Sequence, residues 1–507
     1  MGAVRPRLAR AAAAAGPRVA RLATTTKPQL TRITRTWQYT ALAATAGLAL
    51  AAGVVTAAGP WDSSGQRTAE RDRAAAWGST GGADHGGDPA SREPGPAPSA
   101  ATVLAGLGAG TTVQAAPDTP DGRALTDVLE PILKDPALGP RRSAAVVDVT
   151  TGKRLYGVGV GAALTPASTT KIATAVAALS AMGPDHRLTT RAALEPDTGE
   201  LVLVGGGDPT LTAREEANGN ASLRTLADRT AAALTERGLR EVTLSYDTTL
   251  YAGPELHPIG VNDNLAAVTP LMLDEARTDD STRGPAPRVP DPAADAARRF
   301  GDLLKDRGIK TTPPGPSKAT GRAESLAAVS SPPLSALVER MLTHSDNDIA
   351  EALARHTAVA TGERADLAGA GVAVRAQLDR LGLPVSGTDI KDGSGLDRAG
   401  RLTANLLTAL LVTAADPDHP ELRPALTGLP VAGFTGTLTS RYEDGAAGFV
   451  RAKTGTLTGV NALAGTVVDR GGRVLAFAFL TTGTTNPGAA QAALDRAASA
   501  LASCGCR

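Results

Sequence analysis

Aromatic residues make up only 3% of this 507-residue chain, and cysteine occurs twice. So few rings give no platform on which nucleobases could stack. Cys504 and Cys506, one residue apart at the very end, can neither staple a core nor furnish a four-ligand zinc site. They read as a tail feature, either free thiols or a small local disulfide. The six histidines form no His-x-x-x-His or Glu-x-x-His pattern, so the sequence carries no metallohydrolase signature and no metal is expected. A Gly-x-Ser-x-Gly elbow is missing as well, because Asp392 stands where its first glycine would precede Ser394, and a Ser-His-Asp hydrolase is disfavoured. Acids are absent from the first 60 residues, which hold eight basic side chains (Arg5, Arg7, Arg10, Arg18, Arg21, Lys27, Arg32 and Arg35) before Asp62. With 52 basic and 51 acidic residues in all, the remainder carries seven more acids than bases, a poor surface for nucleic acid.

What the N-terminus does have is a run of twenty uncharged residues, 40–59, flanked by Trp37 and Tyr39. Twenty helical residues span roughly 30 Å, the hydrocarbon thickness of a bilayer. The basic residues all precede it, so 1–39 is expected in the cytoplasm and everything beyond 60 outside it. The segment is either an uncleaved signal-anchor or a long signal peptide cut near Val55-Thr56-Ala57. The catalytic part is then extracytoplasmic, on a single-pass membrane protein, or secreted if the segment is removed. Residues 60–121, rich in Gly, Pro, Ala and Ser, read as a flexible linker.

Folded structure is expected from about 122. Strands are expected at 144–149 and 153–158 near the start, and at 449–456, 460–468 and 473–481 near the end. The last two flank Asp469-Arg470-Gly471-Gly472, a hairpin signal. Helices are expected at 170–182, 332–342, 348–361 and 489–502. Strands at both ends with helices between predict an α+β fold, one antiparallel sheet closed by the two termini. Residues 190–320, with short strand-like runs at 201–204 and 242–246, read as an inserted domain that divides the main one into 122–189 and 321–507.

Three short motifs follow in order. Ser168-Thr169-Thr170-Lys171 opens an apolar helical run, and residues three apart share a helix face, so hydroxyl and amine can touch. Ser345-Asp346-Asn347 begins a second helix, and its ordinary explanation is an N-cap. Lys453-Thr454-Gly455 lies on a strand; an edge lysine is common there, but glycine within a strand marks close approach of a ligand or another backbone.

Together and in this order the motifs resemble the Ser-x-x-Lys, Ser-x-Asn, Lys-Thr-Gly set of the penicillin-recognising serine enzymes. From about 124 onward the chain is similar to the D-alanyl-D-alanine carboxypeptidase/endopeptidases of peptidase family S13, the class C low-molecular-mass penicillin-binding proteins. Segments 201–212, 269–277, 326–355 and 392–398 carry the similarity, as does the 174-residue separation of Lys171 from Ser345. The resemblance implies a β-lactamase/transpeptidase-like sheet flanked by helices. It implies hydrolysis of peptidoglycan stem peptides through an acyl-enzyme, with β-lactams as covalent inhibitors and no cofactor. Ser168 would be the nucleophile, Lys171 its base and Ser345 the proton relay. Asn347 would hold the peptide carbonyl and Lys171, while Lys453, Thr454 and Gly455 would bind the terminal carboxylate. Backbone amides of Ser168 and Thr456 would form the oxyanion hole. Ser394 and Arg398 would lie near the substrate side chain. Asp397 replaces a serine usual in relatives, which bears on side-chain preference. Lysine can act as base only when neutral, and burial plus a second cation, for which Lys453 is the candidate, would lower its pKa. Two other readings share the fold: a β-lactamase or esterase with fast deacylation, and a non-catalytic penicillin-binding sensor.

Overall fold

The computed structural model describes residues 122–442 and 445–504. The expected basic, membrane and linker segments lie outside the described residues. Among the described residues no helix is long and apolar enough to cross a membrane.

The chain enters through helix α1 (Gly122–Leu133), strands β1 (Arg141–Asp148) and β2 (Arg154–Val158), and helix α2 (Thr170–Met182). A second group follows: β3 (Thr189–Leu194), β4 (Leu201–Val204), α3 (Leu223–Glu236), β5 (Glu241–Val242), β6 (Leu244–Asp247), α4 (Pro292–Asp306), β7 (Lys310–Thr311), β8 (Gly315–Pro316) and β9 (Glu324–Ser330). Helices α5 (Leu334–His344), α6 (Asn347–Thr361), α7 (Leu367–Arg380), α8 (Ala404–Ala415) and α9 (Pro424–Thr427) come next. The chain closes with β10 (Val450–Leu457), β11 (Val460–Val468), β12 (Val474–Thr482) and α10 (Pro487–Ser503).

The main sheet has the order β10-β11-β12-β1-β2, antiparallel throughout. Its two halves come from opposite ends of the described chain and join where β1 pairs with β12 from Arg141↔Thr482 to Asp148↔Leu475. Strand β12 shows why it lies at the centre. Ala476, Ala478 and Leu480 face one core, and Leu475, Phe477 and Phe479 face another. A period-2 pattern apolar on both sides belongs to a strand covered on both faces. The small-residue face packs with α2, α5, α6, α7 and α8. The large-residue face packs under α1 and α10. Cys504, just beyond α10, is disulfide-bonded.

The second sheet has the order β8-β6-β4-β3-β9 and is mixed. Strand β3 pairs antiparallel with β4 and β9, whereas β4–β6 and β6–β8 are parallel. The strand-like run at 242–246 divides at Thr243 into β5 and β6, with β5 joining β7 in a separate ribbon. The second sheet also takes in β9, beyond 320, because Glu324–Ser330 pairs with β3. Helices α3 and α4 bury Leu226, Leu234, Phe300 and Leu304 with Leu201 and Leu203 of β4.

Candidate active site

Ser168 sits in a one-turn 3₁₀ segment, Ala167–Thr169, leading directly into α2. Ala167 has φ 48°, a left-handed conformation that costs a non-glycine residue about 1 kcal/mol or more. The turn is locked by Thr169 Oγ1 donating to the Pro166 carbonyl at 2.7 Å. Helix α2 is buried from Thr170 to Leu179, as expected for a helix apolar nearly all round. That placement takes Lys171 out of water while Ser168 remains half-buried at the helix entrance.

Lys171 Nζ lies 3.0 Å from Ser168 Oγ, 2.7 Å from Asn347 Oδ1 and 2.7 Å from the Ser394 carbonyl. The last two partners can only accept. A neutral amine has two N–H donors and one lone pair, so donating to these two leaves its lone pair for the serine hydroxyl. Burial lowers the Lys171 pKa to about 8, against the opposing pull of Asp392, Glu351, Asp346 and Asp348.

Ser345-Asp346-Asn347 is a helix-to-helix junction. Ser345 ends α5 in a left-handed conformation, φ 58°. The N-cap of α6 is Asp346, whose carboxylate accepts from the Ile349 amide, so neither Ser345 nor Asn347 is spent on capping. Asn347 instead bridges: its Oδ1 accepts from Lys171 and its Nδ2 donates to the Asn264 carbonyl at 2.8 Å.

Lys453, Thr454 and Gly455 lie on β10, the sheet's edge, paired with Ala464, Leu463 and Ala462. A Cβ at Gly455 would stand 2.6 Å from the Pro166 carbonyl oxygen and 3.3 Å from Ala167 Cβ. The glycine therefore lets the strand lie against the Ser168 turn. Lys453 is fully buried, not a solvated edge lysine, and its amine donates to the Thr454 carbonyl at 2.8 Å. Burial, then the charges of Lys171 and Arg441, hold its pKa well below the ordinary lysine value. The repulsion between the two lysines is mutual, but burial is the larger cause of each depression. Thr454 Oγ1 meets Thr437 Oγ1 at 3.2 Å. Thr456 is exposed and lines the cleft.

Of segment 392–398, Leu396 lines the cleft, while Ser394 lies away from it. Ser394 is fully buried; its hydroxyl donates to Asp392 Oδ2 at 3.3 Å, its amide donates to Glu351 Oε1 at 2.9 Å, and its carbonyl takes Lys171. It lies behind the base, and its side chain does not reach the cleft. Gly395, at φ 80°, is pressed against this same turn: a Cβ there would stand 1.9 Å from the Ala167 carbonyl oxygen. Arg398 is exposed and ties this segment to the end of β10 by donating to the Thr458 carbonyl at 2.7 Å.

Ser168, Ser345, Asn347 and Thr456 thus line one cleft of about 330 Å³. Its walls include Asn264, Arg277 and Arg288, from the segment between β6 and α4, together with His344 and Thr437. No motif singles these five out, although Arg277 lies in 269–277 and His344 in 326–355, two segments that carry the resemblance. Two buried sets of side chains have mutual spacings like those of metal ligands: His257, Glu351 and Asp392, and Glu275, Asp346 and Asp348. In the second set, Arg277 and Arg340 engage Glu275, Arg288 engages Asp348, and backbone amides fill further acceptors of Asp346 and Asp348. In the first, Asp392 accepts from the amides of Gly395 and Asp397, from Ser394 Oγ, and meets His257 Nε2 at 3.2 Å. Both sets are charge networks supporting the cleft. Burial would raise the Asp392 pKa, but His257 and the two amides hold it below the ordinary value.

Comparison with known proteins agrees with this geometry. A model of the D-Ala-D-Ala carboxypeptidase 3 (S13) family matches residues 125–278 and 277–502. Carboxypeptidase DacB of Mycolicibacterium smegmatis is 38% identical over 430 residues, covering 81% of this chain and 90% of that one. A D-alanyl-D-alanine carboxypeptidase of an Actinomadura species is 32% identical over 450 residues, 72% and 83% of the two chains. In fold, the chain is similar to penicillin-binding protein 4 of Haemophilus influenzae, with a TM-score of 0.60 at 20% identity over 75% of this chain and 98% of that one. A second structure of that protein, complexed with a β-lactam, gives a TM-score of 0.56 at 22% identity, again over 75% and 98%. A nucleophile poised on a buried amine, in a chain so closely aligned with serine carboxypeptidases along most of its length, leaves one assignment: the protein belongs to the D-Ala-D-Ala carboxypeptidase 3 (S13) family and is a serine-type D-Ala-D-Ala carboxypeptidase.

Proposed function

We propose that the protein trims the terminal D-alanine of peptidoglycan stem peptides, or cuts their cross-links, and that Ser168 carries the acyl group. The observation that carries this reading is the set of three partners around Lys171 Nζ. Neutral Lys171 takes the Ser168 proton as Oγ attacks the penultimate carbonyl carbon. The amides of Ser168 and Thr456 receive the oxyanion; losing one such donor typically costs about 100- to 1000-fold in rate. The C–N bond breaks, and Ser345 passes the proton from Lys171 to the leaving amine. Water then hydrolyses the ester, releasing the shortened peptide and free Ser168. Lys453, with Thr454 beside it, receives the terminal carboxylate, whose charge favours the ammonium form that burial disfavours. Asn347 holds the substrate carbonyl and Lys171.

A β-lactam carries a carboxylate beside a strained acyl bond and would acylate Ser168 by the same steps; the Haemophilus influenzae relative has been solved in complex with a β-lactam. Residues 40–59, preceded only by basic charges, support a cell-membrane location with the catalytic part outside, or secretion if the segment is cleaved. Mass spectrometry of the mature N-terminus separates those two states. For the chemistry, intact-mass analysis after benzylpenicillin should show one adduct on the wild type and none on Ser168→Ala. The wild type should also release D-Ala from bisacetylated Lys-D-Ala-D-Ala. Adducts on both proteins would move the nucleophile elsewhere, and rapid steady turnover of a chromogenic cephalosporin would favour a β-lactamase.

A further inference from the structure

Behind Lys171 the structure holds a chain of hydrogen bonds that begins outside the three motifs. His257 lies in the segment between β6 and α4, and it is buried. Its Nδ1 accepts the Ile259 amide at 3.3 Å, which leaves the proton on Nε2, facing Asp392 Oδ2 at 3.2 Å. Asp392 in turn gathers the amides of Gly395 and Asp397, at 2.8 and 2.7 Å, and the Ser394 hydroxyl at 3.3 Å. These contacts bend 392–397 into the turn that presents the Ser394 carbonyl to Lys171 Nζ at 2.7 Å. Glu351, one helical turn beyond Asn347 on α6, holds the preceding peptide by accepting from the Ser394 amide.

We propose that His257 is a positioning residue for the catalytic base: by donating to Asp392 it fixes the Ser394 carbonyl against Lys171 and moderates the carboxylate's hold on the lysine's proton. The inference rests on the reading of Lys171 as base. It differs from the role that resemblance gave Ser394, and it makes the segment between β6 and α4 part of the catalytic support. Without the His257 donor, a buried carboxylate loses one of its four hydrogen bonds and its charge acts more strongly on its surroundings. The groups acting on Lys171 are Asp392, Glu351, Asp346 and Asp348, which favour its protonation, and Lys453, which repels it. Those acting on His257 are Asp392, Glu351 and Asp397. Removing the imidazole therefore favours the ammonium form of Lys171, while the loosened carbonyl holds the amine less well in place.

The test is the single-turnover rate of acylation by benzylpenicillin across pH, on the intact protein, with thermal unfolding recorded for each variant. His257→Leu, which fills the space but offers no donor, should move the midpoint of the acid limb upward by roughly one pH unit, the scale on which one neighbouring interaction shifts a pKa. It should also lower the plateau rate by about ten- to a hundredfold. His257→Gln, whose amide restores an N–H, should return both toward the wild type. Ser394→Ala keeps the carbonyl but removes one donor to Asp392, and should move the midpoint in the same direction by less. A His257→Leu protein with the wild-type midpoint overturns the proposal, as does a His257→Gln protein no better than His257→Leu. If His257→Leu does not fold, Ser394→Ala decides by the same criterion. Loss of Ser168-dependent acylation in the wild type itself would sink the reading of the site, a separate result.

Discussion

Gly455→Ala tests whether the cleft depends on β10 lying hard against the nucleophile's turn. The added methyl would sit 2.6 Å from the Pro166 carbonyl oxygen, 3.1 Å from Ala462 Cβ and 3.3 Å from Ala167 Cβ. The first is backbone and cannot rotate away, and carbon-to-oxygen contacts even for weak hydrogen bonds begin near 3.3 Å. Either the turn or the strand must give by roughly 0.7 Å to reach that contact distance. Overpacking of this kind typically costs about 1–3 kcal/mol of stability. The larger effect should be on rate. A displacement near 1 Å can cost about a hundredfold when reacting groups must be aligned, and this one separates the Ser168 and Thr456 amides proposed to share the oxyanion. Stopped-flow acylation by a fluorescent penicillin should therefore fall far more than stability, which urea unfolding measures. Ala462→Gly added to the variant removes the 3.1 Å contact and leaves the 2.6 Å one, so it should not rescue the rate. A Gly455→Ala protein that is acylated at the wild-type rate would refute the close-approach argument. So would full rescue by Ala462→Gly.

Other outcomes follow from the same geometry. Because Lys171 must be neutral and its pKa is lowered to about 8, acylation should rise with pH through an acid limb centred near that value; a limb centred near 10 would contradict the depression. Burial and neighbouring cations lower the Lys453 pKa and an arriving carboxylate opposes them, so penicillin binding to Ser168→Ala should be coupled to proton uptake over a window of pH, read in calorimetry as heats that vary with the buffer's ionisation enthalpy; heats independent of the buffer at every pH would contradict the depression. Ser345→Gly should relieve the strain at φ 58° and raise stability by about 1 kcal/mol in urea unfolding, while turnover falls with loss of the relay hydroxyl. Asp346→Ala removes the α6 cap and should cost about 1–2 kcal/mol.

Where a segment carries its own periodicity, the sequence sufficed. The helix expected at 170–182 is α2 as found, and the strand expected at 460–468 is β11, because apolar pattern, turn residues and the hairpin signal at 469–472 agree locally. The closure of the sheet by both chain ends was legible for the same reason. Which residue of Ser345-Asp346-Asn347 caps α6 is not legible in the sequence, because Ser, Asp and Asn are all good caps and only the left-handed turn at Ser345 selects Asp346. Strand β9 falls beyond the inserted segment read at 190–320, because its partner in β3 lies 130 to 141 residues earlier by register. His257 left no trace in the sequence. It belongs to no spaced pattern, and its partner Asp392 is 135 residues away.

The lysine pair shows why the residue types alone gave the mechanism but not its electrostatics. From sequence, two cations in one site imply mutual repulsion, which would lower the pKa of the base. In the structure each lysine is fully buried, so desolvation acts on both, and their partners decide the difference. Lys171 is surrounded by four carboxylates that restore part of what burial removes. The groups acting most strongly on Lys453 are burial, Lys171 and Arg441, all in the same direction. A free enzyme arranged this way holds its base at about 8 and disfavours the ammonium form of its carboxylate receptor. The substrate's own negative end is then what completes the charge of the site, so a ligand lacking that carboxylate should acylate slowly even where its acyl carbon is equally reactive. Comparing a penicillin with its carboxylate methyl ester, at the same pH and with Ser168→Ala as the blank, measures that dependence. Equal acylation rates would show that Lys453 acts neither as receptor nor as a partner of Lys171.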